Sequence, residues 1–547
     1  MAYLALRLYL LLILPFALLS SAQNATATPT HYPLLILGGG MTGLSAATLL
    51  STAYNFSSYL LLEATGELGG RMRSTSFGDA SSPGGRHVIE LGANWVQGLT
   101  NEDTGVSNPV WELAQAVNLS TTYSDYSDFL PYSSNGSLSA DYVNSVMDSY
   151  SDAFDAYLAS AGERQARGWH DMTARTGLRL GGWTEDVGTG VDETGAYVQQ
   201  AVEYWNFDME YSMSPEESSW VQVANNNNFT FNQFSDENNL VVDPRGFATI
   251  ATEPFFALPA AQRGEVRLNA TVSAIAYSSS GVNVTLSSGE ILTADYALCT
   301  FSLGVLQSPS PSGIQFTPPL PAWKQTAVSG FAMSTYTKIF LQFTSKFWPD
   351  TQFQLYADPS TRGRYTQWQS LDAPGFLPGS KIIFTTVTAQ DSVRIESMSD
   401  AAVLAELLSV LGGMYGEQVV QAANVTDFYF QRWHEDPLFR GTYSNWPAGY
   451  HPAELDNLRA PLPGTAPGMG EGEGGVLGEG RLLFAGEATS FEYFGFLQGA
   501  YTEGQRAARA VANCLLYQRG EAGCLGEVWW GEVLEGEGVG ETFVRKR

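Results

Sequence analysis

The run PLLILGGGMTGLSAATLL, from Pro33 to Leu50, constrains the fold more than any other stretch of this chain. Pro33 to Leu37 is a short apolar run, Gly38 to Gly43 a glycine turn, and Thr42 to Ala53 a helical pattern. A second apolar run, Ser58 to Glu63, completes strand, turn, helix, strand. Gly38, Gly40 and Gly43 satisfy G-x-G-x-x-G. The first permits a tight turn, the second lets a pyrophosphate approach the backbone, and the third allows close helix packing. The phosphates would then lie at a helix N-terminus. Glu63 follows Gly43 by 20 residues and ends the second strand, where a carboxylate can accept both ribose hydroxyls. Its alternative reading is a solvated charge at a strand end. An acid there disfavours a 2′-phosphate, so the expected ligand is FAD or NAD.

At 547 residues the chain exceeds one simple core, and 44% hydrophobic content allows two well-packed domains. A formal charge of −28 argues against nucleic acid and anionic membranes as partners and favours cationic ones; its alternative reading is a secreted protein kept soluble by its acids. Residues 1–22 read as a signal peptide: Arg7, an apolar run from Leu8 to Leu19, then Ser20-Ser21-Ala22 as a cleavage site. No later stretch is long and apolar enough for a membrane anchor. Eight N-x-S/T sequons, at Asn24, Asn55, Asn118, Asn135, Asn228, Asn269, Asn283 and Asn424, fit a glycosylated, secreted protein. Cys514 and Cys524 are close enough in sequence for a small disulfide, and Cys299 reads as a buried strand residue. The five histidines show no metal-ligand spacing.

Further along, apolar residues from Ala140 to Leu158 recur at helical spacing, and Gly264 to Ala297 alternates like a small meander. A strand is expected in TYTKIFLQF from Thr335, and a helix from Ser399 to Tyr415. GTAPGMGEGEGGVLGEGR, from Gly464, reads as a flexible surface insertion.

LLLEATGELGGRMRS, residues 60–74, adds a second glycine turn, Gly69-Gly70, followed by the cation Arg71. RLLFAGEATSFEYFGFLQGAYTEGQRAARAVA, from Arg481, supplies a strand, a Gly486-Glu487 turn, an aromatic loop and a helix. Together these resemble the glutathione-reductase-like FAD proteins, and within them the flavin amine oxidase family. Five further stretches match secreted polyamine oxidases in order: IELGANWVQG (89–98), YWNFDMEYS (204–212), DPRGFATI (243–250), YTKIFLQFTSKFWP (336–349) and RGTYSNWPAG (440–449).

The resemblance implies an α/β fold in which an FAD-binding Rossmann-like domain (30–100, 240–330 and 480–515) is interleaved with an α+β substrate domain (101–239 and 331–479). Residues 516–547 would form a C-terminal tail. Gly38, Gly40, Gly43, Glu63, Gly70 and Arg71 would bind FAD. By resemblance Val272 would lie near the adenine, Glu487 near the pyrophosphate or ribityl region, and Trp446 beside the isoalloxazine. The stretch 440–449 lacks the cysteine through which monoamine oxidases tether FAD, so binding is expected to be non-covalent.

Amine oxidation moves a hydride from a carbon next to nitrogen to flavin N5, which calls for an apolar, aromatic tunnel with few polar groups. Trp95, Tyr211, Tyr336, Trp446 and Phe496 could wall it, or could be ordinary aromatic core. Glu210 matches the family's ammonium-holding carboxylate, with Asp208 an alternative. Lys338 matches the lysine that holds a water at flavin N5; otherwise it is a snorkelling edge-strand lysine. Plant members carry glutamate where this chain has Gln97, a neutral amide that can still hydrogen-bond an amine. The catalytic candidates are therefore Lys338, Glu210, Gln97 and Tyr336. The implied reaction takes a polyamine and O2 to an aminoaldehyde, an amine and hydrogen peroxide. Two alternatives stay open: an L-amino-acid oxidase using Arg440 or Arg432, and a secreted FAD-binding protein without turnover.

Overall fold

The glycine turn joins β1 (Thr30–Leu37) to α1 (Met41–Ala53), and the chain returns in β2 (Tyr59–Leu62), parallel to β1. Leu34 to Leu37 are all fully buried, as expected of a parallel strand covered on both faces. The computed structural model describes residues 29–184, 193–309, 311–463, 480–517 and 524–525. The expected leader, the sequon at Asn24, the insertion from Gly464 and most of the tail lie outside these described residues.

β1 and β2 belong to an eight-stranded sheet. The strand Ile291–Cys299 runs parallel to β1 on its other side. Its far edge is shared between two partners: Gly281–Leu286 pairs antiparallel with its first half, and Leu482–Phe484 runs parallel along its last three residues. One sheet thus gathers three separated parts of the chain, and the last strand delivers the Gly486-Glu487 turn beside the first glycine turn. Val272–Ser278, Gly281–Leu286 and Ile291–Cys299 form the expected antiparallel meander. Glu265–Arg267 departs from it and pairs parallel with β2 at the opposite edge. The crossing between the two is pinned by the Asn269 and Ala270 N–H groups, which donate to the carbonyls of Thr65 and Glu63 at 2.8 Å. Val272 is thereby set next to the end of β2.

A second, seven-stranded sheet is built from residues 129–137 and 336–430. Tyr336–Phe343 lies inside it, flanked by Ile382–Thr388 and Val425–Phe430. The helix Ala140–Ala166 begins where the periodicity begins and runs beyond Leu158. Ser139 caps it, and Val143, Val146, Tyr150, Ala153, Tyr157 and Ala161 form its buried stripe. The helix expected near Ser399 spans Asp400–Tyr415, with Ser399 as its cap. A separate three-stranded sheet is formed by Trp95–Gln97, Asn238–Val241 and Thr121–Tyr123. Cys514 and Cys524 form a disulfide, and Cys299 is a buried free thiol.

Candidate active site

A cavity of about 530 Å³ runs between the two large sheets. Its lining divides by hydrogen bonding into a nucleotide half and an aromatic half.

In the nucleotide half, Gly38 has φ +115°, and a Cβ on Gly43 would stand 2.0 Å from the Gly38 carbonyl oxygen. Only glycine satisfies both demands. Gly40 caps α1 without a side-chain hydrogen bond, so the N–H groups of the first turn stay available and the helix dipole favours an anion there. Gly40 bridges to Gly69, which brings Gly70 and Arg71 to the same wall. Glu63 faces the cavity with one oxygen accepting from Gly39 N–H at 2.9 Å and the other from Thr65 N–H at 2.8 Å. Val272 lines the same end. Glu487 is taken up by protein donors: Arg71 Nη1 at 3.0 Å, Gly495 N–H at 2.9 Å and the Ser444 hydroxyl at 2.5 Å. Its action on a nucleotide therefore passes through Arg71, which it orients and whose charge can meet a pyrophosphate.

These features fit a dinucleotide: a carboxylate at one end, uncapped helix N–H groups and a half-buried guanidinium in the middle, and an apolar aromatic chamber beyond. Trp446 is a correction. It is fully buried, donates its indole N–H to the Tyr450 carbonyl at 2.7 Å, and packs edge-on against Phe331, Tyr450 and Phe491 outside the cavity. From the same stretch, Thr442, Tyr443, Ser444 and Asn445 reach the wall instead.

In the aromatic half, Trp95, Tyr126, Trp205, Tyr211, Tyr336, Tyr443 and Phe496 line the space. Sequence reasoning misses Tyr126, Trp205 and Tyr443; Trp205 and Tyr443 lie inside matched stretches, whereas nothing marks Tyr126. Glu210 comes just after a π-helical turn, Tyr204–Asp208, and the chain leaves this segment at Ser212, which has a left-handed φ of 56°. Such turns insert a residue and re-aim the side chains beyond them. The Gln97 amide donates to both Glu210 oxygens, at 3.1 and 3.4 Å. Burial lifts the Glu210 carboxyl to about 7, and the Gln97 hydrogen bond opposes that rise. Asp208 points elsewhere, into a double hydrogen bond with Arg362 at 2.8 and 2.6 Å.

Lys338 is not an edge-strand lysine. It is 3% exposed, and its ammonium donates to the carbonyls of Glu90, at 3.3 Å, and Gly92, 5.5 Å from the centre of the Trp95 ring. Burial pushes it down to about 7, against the pull of the Glu90 charge. Among the described residues Arg71 is the arginine on the cavity wall. Arg432 is tied to the Glu396 and Met398 carbonyls and to Asp400, and Arg440 does not reach the lining.

The fold and site define a protein that binds a dinucleotide cofactor against an aromatic chamber. The chain belongs to a family described as flavin containing amine oxidoreductase, whose model matches residues 41–512. Its sequence is 35% identical to polyamine oxidase 1 of Zea mays, over 91% of this chain and 93% of that one. It is 33% identical to polyamine oxidase 6 of Oryza sativa subsp. japonica, over 93% and 95%. A putrescine oxidase variant redesigned at its cofactor site shares the fold, with a TM-score of 0.63 at 16% identity, covering 88% of this chain and 99% of that one. FAD is the cofactor that this family implies.

Proposed function

We propose that the protein oxidises polyamines with non-covalently held FAD and O2, releasing an aminoaldehyde, an amine and hydrogen peroxide. The observation that carries this reading is Glu210, a carboxylate that faces the aromatic chamber with Gln97 as its hydrogen-bond donor. Glu63 and Glu487, the other carboxylates on the wall among the described residues, are engaged in the nucleotide half. A cationic substrate therefore finds one negative anchor in the chamber, as an amine with at least one ammonium besides its reacting nitrogen requires.

Gly38, Gly40, Glu63, Gly70, Arg71 and Val272 hold the cofactor in this reading, with Gly43 packing the turn and Glu487 holding Arg71. FAD, held by these residues, would supply the hydride acceptor and the two-electron chemistry that O2 reoxidises. Glu210 binds a distal ammonium and fixes the substrate's register. The aromatic wall excludes water, which strengthens that ion pair. Lys338, near neutrality in its titration, holds and exchanges a proton at the wall beside Trp95. The strands of the eight-stranded sheet correspond to the cofactor domain, and those of the seven-stranded sheet to the substrate domain.

The thiols support non-covalent binding: Cys514 and Cys524 are bonded to each other and Cys299 is buried in a strand. Secretion is part of the proposal, supported by the leader-like N-terminus. Of the seven described sequon asparagines, all but the partly buried Asn228 are exposed. Removal of N-glycans from protein recovered from a eukaryotic host's medium tests it; retention inside the cell, unglycosylated, contradicts it.

An amino-acid oxidase reading lacks support, because Arg71 is engaged by Glu487 and the Thr442 carbonyl. The test of the function is a panel of spermidine, spermine, acetylated spermine, a monoamine and an L-amino acid, with peroxide measured and products identified by mass. Peroxide from polyamines well above that from the other two is expected. Peroxide only from the amino acid, or from none, overturns the reading.

A further inference from the structure

The strand His87–Glu90 runs behind the cavity wall and ends in a carboxylate that the chemistry above does not use. Glu90 is 6% exposed. One of its oxygens accepts from Phe247 N–H at 2.8 Å, and the other has no hydrogen-bond partner among the described residues. Such an orphaned, buried carboxylate oxygen is costly unless an electrostatic partner offsets it. Lys338 has the converse problem. Its ammonium is buried, bonded to two backbone carbonyls, one of them Glu90's own, and lies within 4 Å of no carboxylate among the described residues. Burial lifts the Glu90 carboxyl to about 7 and lowers Lys338 to about 7, and each charge opposes the other's shift. The other charge that bears on the pair is Asp243, a repulsion on Glu90; Asp243 is itself held ionised by Arg245. The Trp95 ring centre lies 5.5 Å from the ammonium, and both residues line the cavity.

We propose that Glu90 is a positioning residue for catalysis: its buried carboxylate is the counter-charge that keeps Lys338 protonated at the cavity wall. A lone ammonium in a dry site loses its proton to escape the desolvation cost, whereas an ammonium and a carboxylate together leave the site net neutral. Glu90 thus sets whether Lys338 presents a donor or a bare amine to whatever water or cofactor atom meets it. Without the Glu90 charge, Lys338 titrates at lower pH, and at neutral pH its ammonium population falls.

This inference rests on the placing of Lys338 at the reacting edge, and the experiment has one arm that does not. In the first arm, the pH profiles of flavin reduction and reoxidation are recorded for the holoenzyme. The limb that disappears in Lys338→Met is assigned to Lys338. In Glu90→Gln, which keeps an oxygen for the Phe247 N–H, that limb should move to lower pH by on the order of one unit. Glu90→Asp, which keeps the charge, should leave it closer to its original position. A limb unmoved in Glu90→Gln overturns the proposal even if rates fall, since a purely structural loss lowers rates without moving a titration. The second arm needs no turnover: unfolding midpoints of the holoprotein are measured for Glu90→Gln, Lys338→Met and the double variant. At pH 7 the drop caused by Glu90→Gln should be larger when Lys338 is present than when it is added to Lys338→Met. That difference should shrink at pH 9, where Lys338 is neutral in either case. Equal drops in both backgrounds at pH 7 overturn the counter-charge role. Coupling without any amine oxidation would instead leave the pair intact and remove the proposed function.

Discussion

Replacing Gln97 by glutamate is the perturbation whose outcome the site geometry constrains most tightly. The amide nitrogen lies 3.1 and 3.4 Å from the two Glu210 oxygens. A second carboxylate at that separation cannot ionise together with the first, so the pair shares one proton near neutral pH. Gln97→Glu therefore does not add a charge to the chamber at pH 7; it removes a donor and adds a repulsion. In the native protein burial lifts Glu210 to about 7, with the Gln97 bond holding it down. Glu210 is thus ionised and able to bind an ammonium above pH 7 and loses that ability as pH falls through 7. In Gln97→Glu the acid limb of kcat/KM for polyamine should move alkaline by at least about one unit, roughly 1.4 kcal/mol of differential interaction. Above the new limb the second charge is present. A charged hydrogen bond is worth roughly 1.5–3 kcal/mol, or about ten- to 150-fold in kcat/KM. That gain should appear for a polyamine and be nearly absent for a monoamine, which has no second ammonium. Initial rates of peroxide release from pH 5.5 to 10, with both substrates, read the effect. An acid limb at the same pH in both proteins would refute the Gln97–Glu210 contact as the determinant of substrate binding.

Lys338→Met keeps the volume of a buried stem and removes its charge. Flavin reduction or reoxidation should slow by at least about tenfold, roughly 1.4 kcal/mol of barrier, with polyamine affinity changed much less; stopped-flow absorbance separates the two half-reactions. The purified protein should be yellow and release its flavin on acid precipitation, and Arg71→Ala should lower the flavin retained on dialysis, since it also leaves the Glu487 charge buried without its cation. Flavin staying with the precipitate contradicts non-covalent binding. Cys514→Ser should lower the unfolding midpoint under oxidising conditions by the equivalent of roughly 2–3 kcal/mol, as expected for a short closed loop, and a reductant should bring the native protein toward the variant.

The glycine turn and Glu63 are legible in sequence because their demands are local: a positive φ at Gly38, no room for a Cβ at Gly43, and a carboxylate at the end of the next strand. The partner motif near Glu487 is legible for a related reason, since its strand, turn and helix follow one another in a single run from Leu482 to Ala512. Pattern fails where the answer depends on which way a side chain faces. Its neighbours in sequence place Trp446 beside the isoalloxazine, yet it turns into an aromatic cluster while Tyr443, three residues earlier, takes the wall. Glu265–Arg267 alternates like its neighbours but joins another edge, because pairing partners are not written in a strand's own residues. The π-helical turn before Glu210 has no sequence signature, so Asp208 and Glu210 are told apart only once Arg362, remote in sequence, claims Asp208. The Glu90 and Lys338 juxtaposition joins residues 248 apart and is invisible to spacing.

In the proposed reaction a polyamine bound through Glu210 reduces FAD in this cavity. Anaerobic titration of the holoprotein with spermidine, followed by admission of O2, tests it most directly. The oxidised flavin absorbance should bleach on addition of spermidine, return when O2 enters, and yield about one peroxide per flavin turned over. In Glu210→Gln the same bleaching should require about ten- to 150-fold more spermidine, given the loss of a charged hydrogen bond. Flavin that stays oxidised under saturating spermidine, or a Glu210→Gln variant that bleaches at native concentrations, would contradict the claim.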